Sequence, residues 1–306
     1  MGHRWQVGDT ITRDVGENFV TTPSTVRTVP ETRPTVSVVV PCLNEEQNLS
    51  YVLPRIPADV DQVVIVDGDS TDRTVERAFE LMPTVDVVQQ TRRGKGNALV
   101  CGFAACKCDI IVMLDGDGST DPAEIPRFVQ ALVDGADFAK GSRFAPGGRS
   151  EDITRLRKLG NDGLNVMVNT LFGTRFSDLC YGYNAFWHWV LPHLDLPDMD
   201  LPAPGGDLML WGDGFEIETL INVRAASLRL NVAEVASVEA ARVHGVSNLN
   251  AFRDGRRVSR TILSEWRRSR TRSQPAATSS TAAPFDIAQP DPDDVGDIAT
   301  VTGDGL

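Results

Sequence analysis

Asp115-Gly116-Asp117 directly follows the apolar run Ile110-Ile111-Val112-Met113-Leu114. Two carboxylates one residue apart, at a strand end and with a flexible glycine between them, can approach one hard divalent cation. Mg²⁺ or Mn²⁺ held by one or two carboxylates keeps coordination positions for substrate phosphates. There it neutralises charge developing on a nucleoside-diphosphate leaving group. The same three residues would also write an ordinary polar turn, so D-x-D is weak by itself. Its weight comes from three other polar segments that follow apolar runs: Pro41 with Asn44-Glu45, Asp67-Gly68-Asp69, and Arg92-Arg93-Gly94-Lys95-Gly96-Asn97. An acid after a strand can accept from a base N–H or a ribose hydroxyl, and Ser70 or Thr71 can alternatively cap the next helix. Cations and glycines at a helix start suit a phosphate-bearing ligand, and equally an ordinary solvated cluster.

The elements that must position these residues are legible as periodicity. Val36–Val40, Val63–Val66, Val85–Val88 and 110–114 are near-continuous apolar runs, as in parallel strands covered on both faces. Helical patterns at 45–55, 71–81, 96–106 and 122–133 lie between them. This alternation predicts an α/β fold with a doubly wound, mostly parallel sheet flanked by helices, in a single catalytic domain. Ligands in such a sheet bind beyond the carboxyl ends of the strands, where the polar segments fall. After Lys140 the pattern loosens to a helix at 155–171, a Gly/Pro/acid-rich mobile loop at 195–213, a helix at 215–224 and a strand at 228–235. We divide the chain into an arm (1–33), the catalytic domain (34–250), a basic C-terminal helix (251–272) and a disordered acidic tail (273–306), whose composition cannot bury enough apolar surface to order itself.

The chain of 306 residues is 41% hydrophobic and 24% charged, ordinary for a globular protein. Its net charge of −12 excludes general affinity for nucleic acid. Five cysteines without a C-x-x-C pair argue for reduced, buried thiols rather than zinc or a disulfide framework. No run approaches the ~20 apolar residues of a membrane span, and residues 1–14 lack the apolar core expected of a signal peptide. A cytoplasmic location is expected, with the option of peripheral attachment to the inner face of a membrane.

Val38-Val39-Val40-Pro41-Cys42-Leu43-Asn44-Glu45-Glu46, then 67–74, Gly94-Lys95-Gly96, 114–117 and Gly141-Ser142-Arg143 together resemble family 2 glycosyltransferases of the GT-A fold. Asp178-Leu179-Cys180-Tyr181-Gly182-Tyr183-Asn184-Ala185-Phe186 is similar to the dolichyl-phosphate mannose synthase branch. The resemblance implies that Pro41, Asn44 and Glu45 line a nucleotide pocket, that Asp67 contacts the base with Asp69 beside it, and that Lys95 lies near the donor. Asp115 and Asp117 would hold the diphosphate through Mg²⁺ or Mn²⁺. Where the family usually has D-D-G-S this chain has Asp67-Gly68-Asp69-Ser70, which leaves guanine against uracil open. The segment Arg242-Val243-His244-Gly245 resembles the R-x-x-G stretch of that branch. It is also similar to transferases that make glucosyl-3-phosphoglycerate, where a histidine joins the metal; His244 is thus the candidate third ligand, and Arg242 a phosphate contact.

Transfer to a hydroxyl needs a carboxylate base, for which Asp213 and Glu216 are candidates; transfer to a lipid phosphate does not. The arginine-rich stretch 253–272, with Val258, Ile262 and Trp266 on one helical face, reads either as a membrane-surface helix or as a packed helix. Arg143, Arg155 and Arg157 are candidates for an acceptor phosphate. The expectation is therefore hexosyl transfer from a nucleoside-diphosphate sugar (GDP-mannose or UDP-glucose type) to a polyprenyl phosphate. The alternatives are a soluble acceptor, such as a phosphoglycerate or a natural-product hydroxyl, and a nucleotide-sugar-binding protein without catalysis. Pro41-Cys42-Leu43-Asn44 stands where sugar nucleotidyltransferases carry a G-x-G-T-R loop, which argues against that class.

Overall fold

The buried valine and isoleucine runs pair side by side at the centre of the molecule. The structure, a computed structural model, describes residues 33–205, 208–245 and 251–272; the expected arm up to residue 32 and the expected tail from 273 lie outside them. Strand β1 (Val36–Cys42) pairs in parallel with β2 (Gln62–Asp67) and with β4 (Ile110–Met113), and β2 with β3 (Asp86–Gln89). Helices α1 (Glu46–Val52), α2 (Thr74–Leu81), α3 (Lys95–Ala105) and α4 (Ile125–Val133) provide the connections.

Beyond β4 the sheet continues through three strands that periodicity left unmarked or only partly marked. They are β5 (Phe138–Ser142), β7 (Asn184–Trp187) and β8 (Val232–Ala236), in the order β3-β2-β1-β4-β7-β5-β8. β7 runs antiparallel to both neighbours, β4 and β5. The core is the β1, β2 and β4 side chains with Phe103, Phe138 and Phe186, the last two stacked at 5.7 Å. A small second sheet joins β6 (Arg149–Ser150) to β9 (Val238–Glu239).

Helix α5 (Arg155–Phe172) opens on Thr154, whose hydroxyl accepts the Arg157 N–H, and closes on Gly173 at φ 68°. Helices α6 (Glu216–Ser227) and α7 (Ala251–Arg272) pack beside it around Val168, Leu179, Val223, Val258 and Ile262. Of the two readings of the basic helix, packing is the one realised: Val258 and Ile262 are buried and Glu265 forks onto Arg224 at 2.9 and 3.0 Å. Its apolar face is therefore occupied within the protein. The 195–213 loop, expected to be mobile, is tied down over its first seven residues. Arg224 donates to the carbonyls of Leu194 and Asp195, and Arg92 to those of Met199 and Leu201.

Candidate active site

The carboxyl ends of β1, β2, β3 and β4 open into a cleft of about 2170 Å³. Pro41, Asn44 and Glu45 line it from β1 and Asp69 from the β2 loop; Lys95 enters from the first turn of α3, and Asp115 with Asp117 from the end of β4. Arg143, Arg157, Arg242 and His244 line the same cleft.

Two loops are stitched together at its floor. Asn44 sits at φ 58°, a left-handed conformation that asparagine tolerates. Its Oδ1 accepts the Thr71 N–H at 2.8 Å, and its own N–H donates to Ser70 Oγ at 2.9 Å. Neither Ser70 nor Thr71 caps α2; the hydroxyls serve this inter-loop contact instead. Asp67 does not line the cleft. It is buried, and its carboxylate accepts the N–H groups of Asp69 and Ser70 at 3.2 Å. Asp67 thus shapes the loop, and Asp69, at φ 70°, is the acid of this segment that lines the cleft.

Each aspartate of the pair is met by a cation. Lys95 Nζ lies 2.6 Å from Asp115 Oδ1 and 2.5 Å from Glu218 Oε1. Arg242 Nη2 lies 2.8 Å from Asp117 Oδ2, and its Nη1 3.5 Å from Glu45 Oε1. Asp117 Oδ1 also accepts the Ser119 N–H at 2.9 Å. Burial pulls the Lys95 ammonium down, but Asp115 and Glu218 outweigh it and hold the group above its ordinary value. Burial pushes the Glu218 and Glu45 carboxyls up, against the lowering pull of their cationic neighbours. Burial also raises Cys180 to about 12 and Cys42 well above its usual value. Both cleft thiols thus stay protonated at neutral pH and neither is a poised nucleophile.

The donor set of the acidic pair is two hard carboxylate oxygens at one strand end, which fits a Mg²⁺- or Mn²⁺-class ion that leaves room for phosphates. Among the described residues no group of three His, Cys, Asp or Glu side chains is assembled for a metal. His244 therefore does not complete a ready-made set with the pair. It is exposed on the rim, with its ring 5.8 Å from Tyr51 and its backbone tied to Asn48.

Two expected carboxylates are not at the cleft at all. Asp213 is buried in a two-pronged ion pair with Arg92, 2.9 Å on each arm. Glu216 Oε1 accepts the N–H groups of Gly212 and Gly214, closing the turn before α6. Neither lines the cleft, and both are engaged elsewhere. Glu218 is the acid of this segment that lines it. Residues two apart on a helix point about 200° apart, so Glu216 and Glu218 necessarily face different surroundings. Sequence placed both on one helix, and packing chose between them.

The first turn of α3 is engaged in the same way. The N–H groups of Gly96 and Asn97 donate to the Asp213 carbonyl at 2.7 and 3.4 Å, so a backbone oxygen takes the position expected for a phosphate. A Cβ on Gly96 would sit 1.9 Å from the Gly212 oxygen. Gly96→Ala is expected to lower stability by at least about 1–3 kcal/mol, as overpacking against backbone does, seen as a lower urea midpoint. An unchanged midpoint would contradict this contact.

Arg143 lines the cleft but is held by Asp178 (2.7 and 2.9 Å) and Glu239 (3.0 Å). Arg157 lines it beside Asp152, at 3.5 Å. Arg155 is exposed and does not line it. The α5 wall carries Leu156 and Leu159, 55% and 70% exposed, at the cleft mouth.

Comparison with known proteins bears on this geometry. Residues 37–188, which hold the strand-end site, match the model of glycosyl transferase family 2. A dolichol-phosphate mannosyltransferase of Pyrococcus furiosus is 35% identical over 151 residues, 47% of this chain and 43% of that protein. A polyprenol monophosphomannose synthase of Mycolicibacterium smegmatis is 30% identical over 238 residues, 74% of this chain and 84% of that protein. The chain thus spans less than half of the archaeal relative's length. A solved glucosyl-3-phosphoglycerate synthase of Mycobacterium tuberculosis, in complex with Mn²⁺, UDP and glucosyl-3-phosphoglycerate, superposes with a TM-score of 0.57 at 25% identity, covering 76% of this chain and 79% of that one. With its strand-end acids, GT-A sheet and this breadth of similarity, the chain belongs to glycosyl transferase family 2, in the dolichyl-phosphate mannose synthase-like branch, and is a glycosyltransferase.

Proposed function

We propose that the chain transfers a hexosyl group from a nucleoside-diphosphate sugar to a polyprenyl phosphate, with a Mg²⁺- or Mn²⁺-class ion at the acidic pair. The observation that carries the acceptor half is the exposed apolar wall at the cleft mouth. Leu156 and Leu159 stand in solvent beside Arg157, as a prenyl chain with an anionic head would require. A small polar acceptor has no use for two exposed leucines there.

Asp115 and Asp117 would hold the ion, which supplies charge neutralisation for the departing diphosphate. Lys95 and Arg242 present their cations to the same region. Asp69 and Asn44 shape the side of the cleft assigned to the nucleoside. Arg157 lies between the two leucines in sequence, lines the cleft with them and receives the acceptor phosphate. That oxygen is already anionic, so no side chain has to remove a proton from it. This agrees with the engagement of Asp213 and Glu216 elsewhere. The relatives named for dolichol and polyprenol phosphate support the same acceptor class.

Radiolabelled GDP-mannose and UDP-glucose, each incubated with undecaprenyl phosphate and Mn²⁺, test the reading. Label is expected in the organic phase with one of the donors. Changing both Leu156 and Leu159 to Gln should lower kcat/KM for the lipid at least about tenfold, since a buried leucine contributes roughly 1.5–3 kcal/mol, with donor binding unchanged. Label that stays aqueous, and appears instead on a phosphoglycerate, would overturn the lipid acceptor in favour of a soluble one.

A further inference from the structure

The four acids and two cations around the strand end form a repeated pattern. Lys95 bridges Asp115 to Glu218, and Arg242 bridges Asp117 to Glu45. Each cation therefore joins one aspartate of the pair to one glutamate outside it. Glu45 is held by Asn48, whose Nδ2 donates to its Oε2 at 2.5 Å, and Glu218 is buried against Gly182, where any Cβ would come within 2.2 Å of its Oε1. The cations arrive from separate elements, Lys95 from α3 and Arg242 from the segment after β9.

Resting on the donor-site reading above, we propose that Lys95 and Arg242 are exchangeable counterions of the acidic pair. Each yields its aspartate to the divalent ion, keeps its glutamate, and turns its charge to the donor diphosphate. Asp115 Oδ1 and Asp117 Oδ2, one oxygen of each carboxylate that would hold a metal, are the ones the two cations now touch. An ammonium and a divalent ion crowded on one carboxylate repel each other, so metal alone must displace a contact that nothing replaces. With a diphosphate present, the released cations gain a new anionic partner. Glu218 and Glu45 keep them at the site during the exchange and leave no orphaned charge. Metal and donor consequently enter as a coupled pair, and Glu218 and Glu45 are positioning residues that act through the cations.

The test is Mn²⁺ binding to the full chain, read as loss of the free-ion EPR signal, with no nucleotide, with GDP and with UDP. Wild type should bind Mn²⁺ weakly alone and roughly tenfold or more tightly with the nucleotide it accepts, a coupling within the usual range. Lys95→Met and, separately, the rim variant Arg242→Met should each tighten nucleotide-free Mn²⁺ binding at least about fivefold and shrink the nucleotide's enhancement. Lys107→Met, which removes an exposed cation before β4 at the opposite end of α3, should leave Mn²⁺ binding unchanged. Equal effects from Lys107→Met would assign the change to net charge and overturn the exchange. Wild type that binds Mn²⁺ and nucleotide together, with nucleotide-free affinity unaltered in both folded variants, overturns the exchange and leaves the donor site standing. No Mn²⁺ binding by any of the proteins, with or without nucleotide, sinks the donor-site reading and the exchange together.

Discussion

Asp117→Asn is expected to lower kcat on the order of 10³-fold while leaving the protein folded. The carboxylate contributes a metal-type oxygen at the strand end and holds Arg242 at 2.8 Å. Asparagine keeps the shape, and its Oδ1 can still accept the Ser119 N–H, so the β4 turn loses little. What it loses is the negative charge. A divalent ion that supplies several kcal/mol of charge stabilisation and is left with one anionic ligand accounts for a decrease of that order. Steady-state transfer with Mn²⁺ beside a thermal melt checks both halves. A folded Asp117→Asn enzyme within tenfold of wild type would remove the acidic pair from the mechanism.

Asp213→Ala should behave in the opposite way, lowering stability before it touches chemistry. Arg92 and Asp213 are 4% and 1% exposed and bonded twice to each other. Removing one partner of such a pair leaves a buried uncompensated charge, at a cost of about 3–5 kcal/mol. Arg92 also fastens the carbonyls of Met199 and Leu201, so its displacement loosens the loop whose Ala203 and Met209 line the cleft. Denaturant unfolding should show a lower midpoint. The double variant Arg92→Met, Asp213→Leu should recover part of the loss, because an apolar replacement removes the stranded charge but still leaves the loop carbonyls without their donor. A general base would give another signature, a fall in kcat at full stability, and that outcome would restore Asp213 to catalysis.

Much of the first half of the fold and its strand-end cleft was legible in the residues themselves. Strands buried on both faces must be written as continuous Val/Ile runs, and a parallel α/β sheet gathers the residues after those runs at one edge. Asn44, Lys95, Asp115 and Asp117 therefore group together from the sequence alone, and the family motifs pointed to the chemistry. The second half was less legible for physical reasons. β5 contains Lys140, Gly141 and Ser142, all buried, so its run lacks an apolar signature although it sits inside the sheet. β7 is a four-residue strand inserted antiparallel between β4 and β5, and no local pattern encodes which neighbour it chooses.

Sequence alone determined the fold class, the strand-end acids and the family, because these depend on periodicity and on residues close together along the chain. Tertiary structure decided how the charges are used. Asp213 and Asp115 are both acids beside glycines, yet one is closed inside by Arg92 and the other meets Lys95 in the cleft. Glu216 and Glu218 differ only by their turn around α6. Pairings between residues 121 to 197 positions apart depend on how helices and loops pack, and a carboxylate acquires its role from the cation that packing brings within 3.5 Å of it.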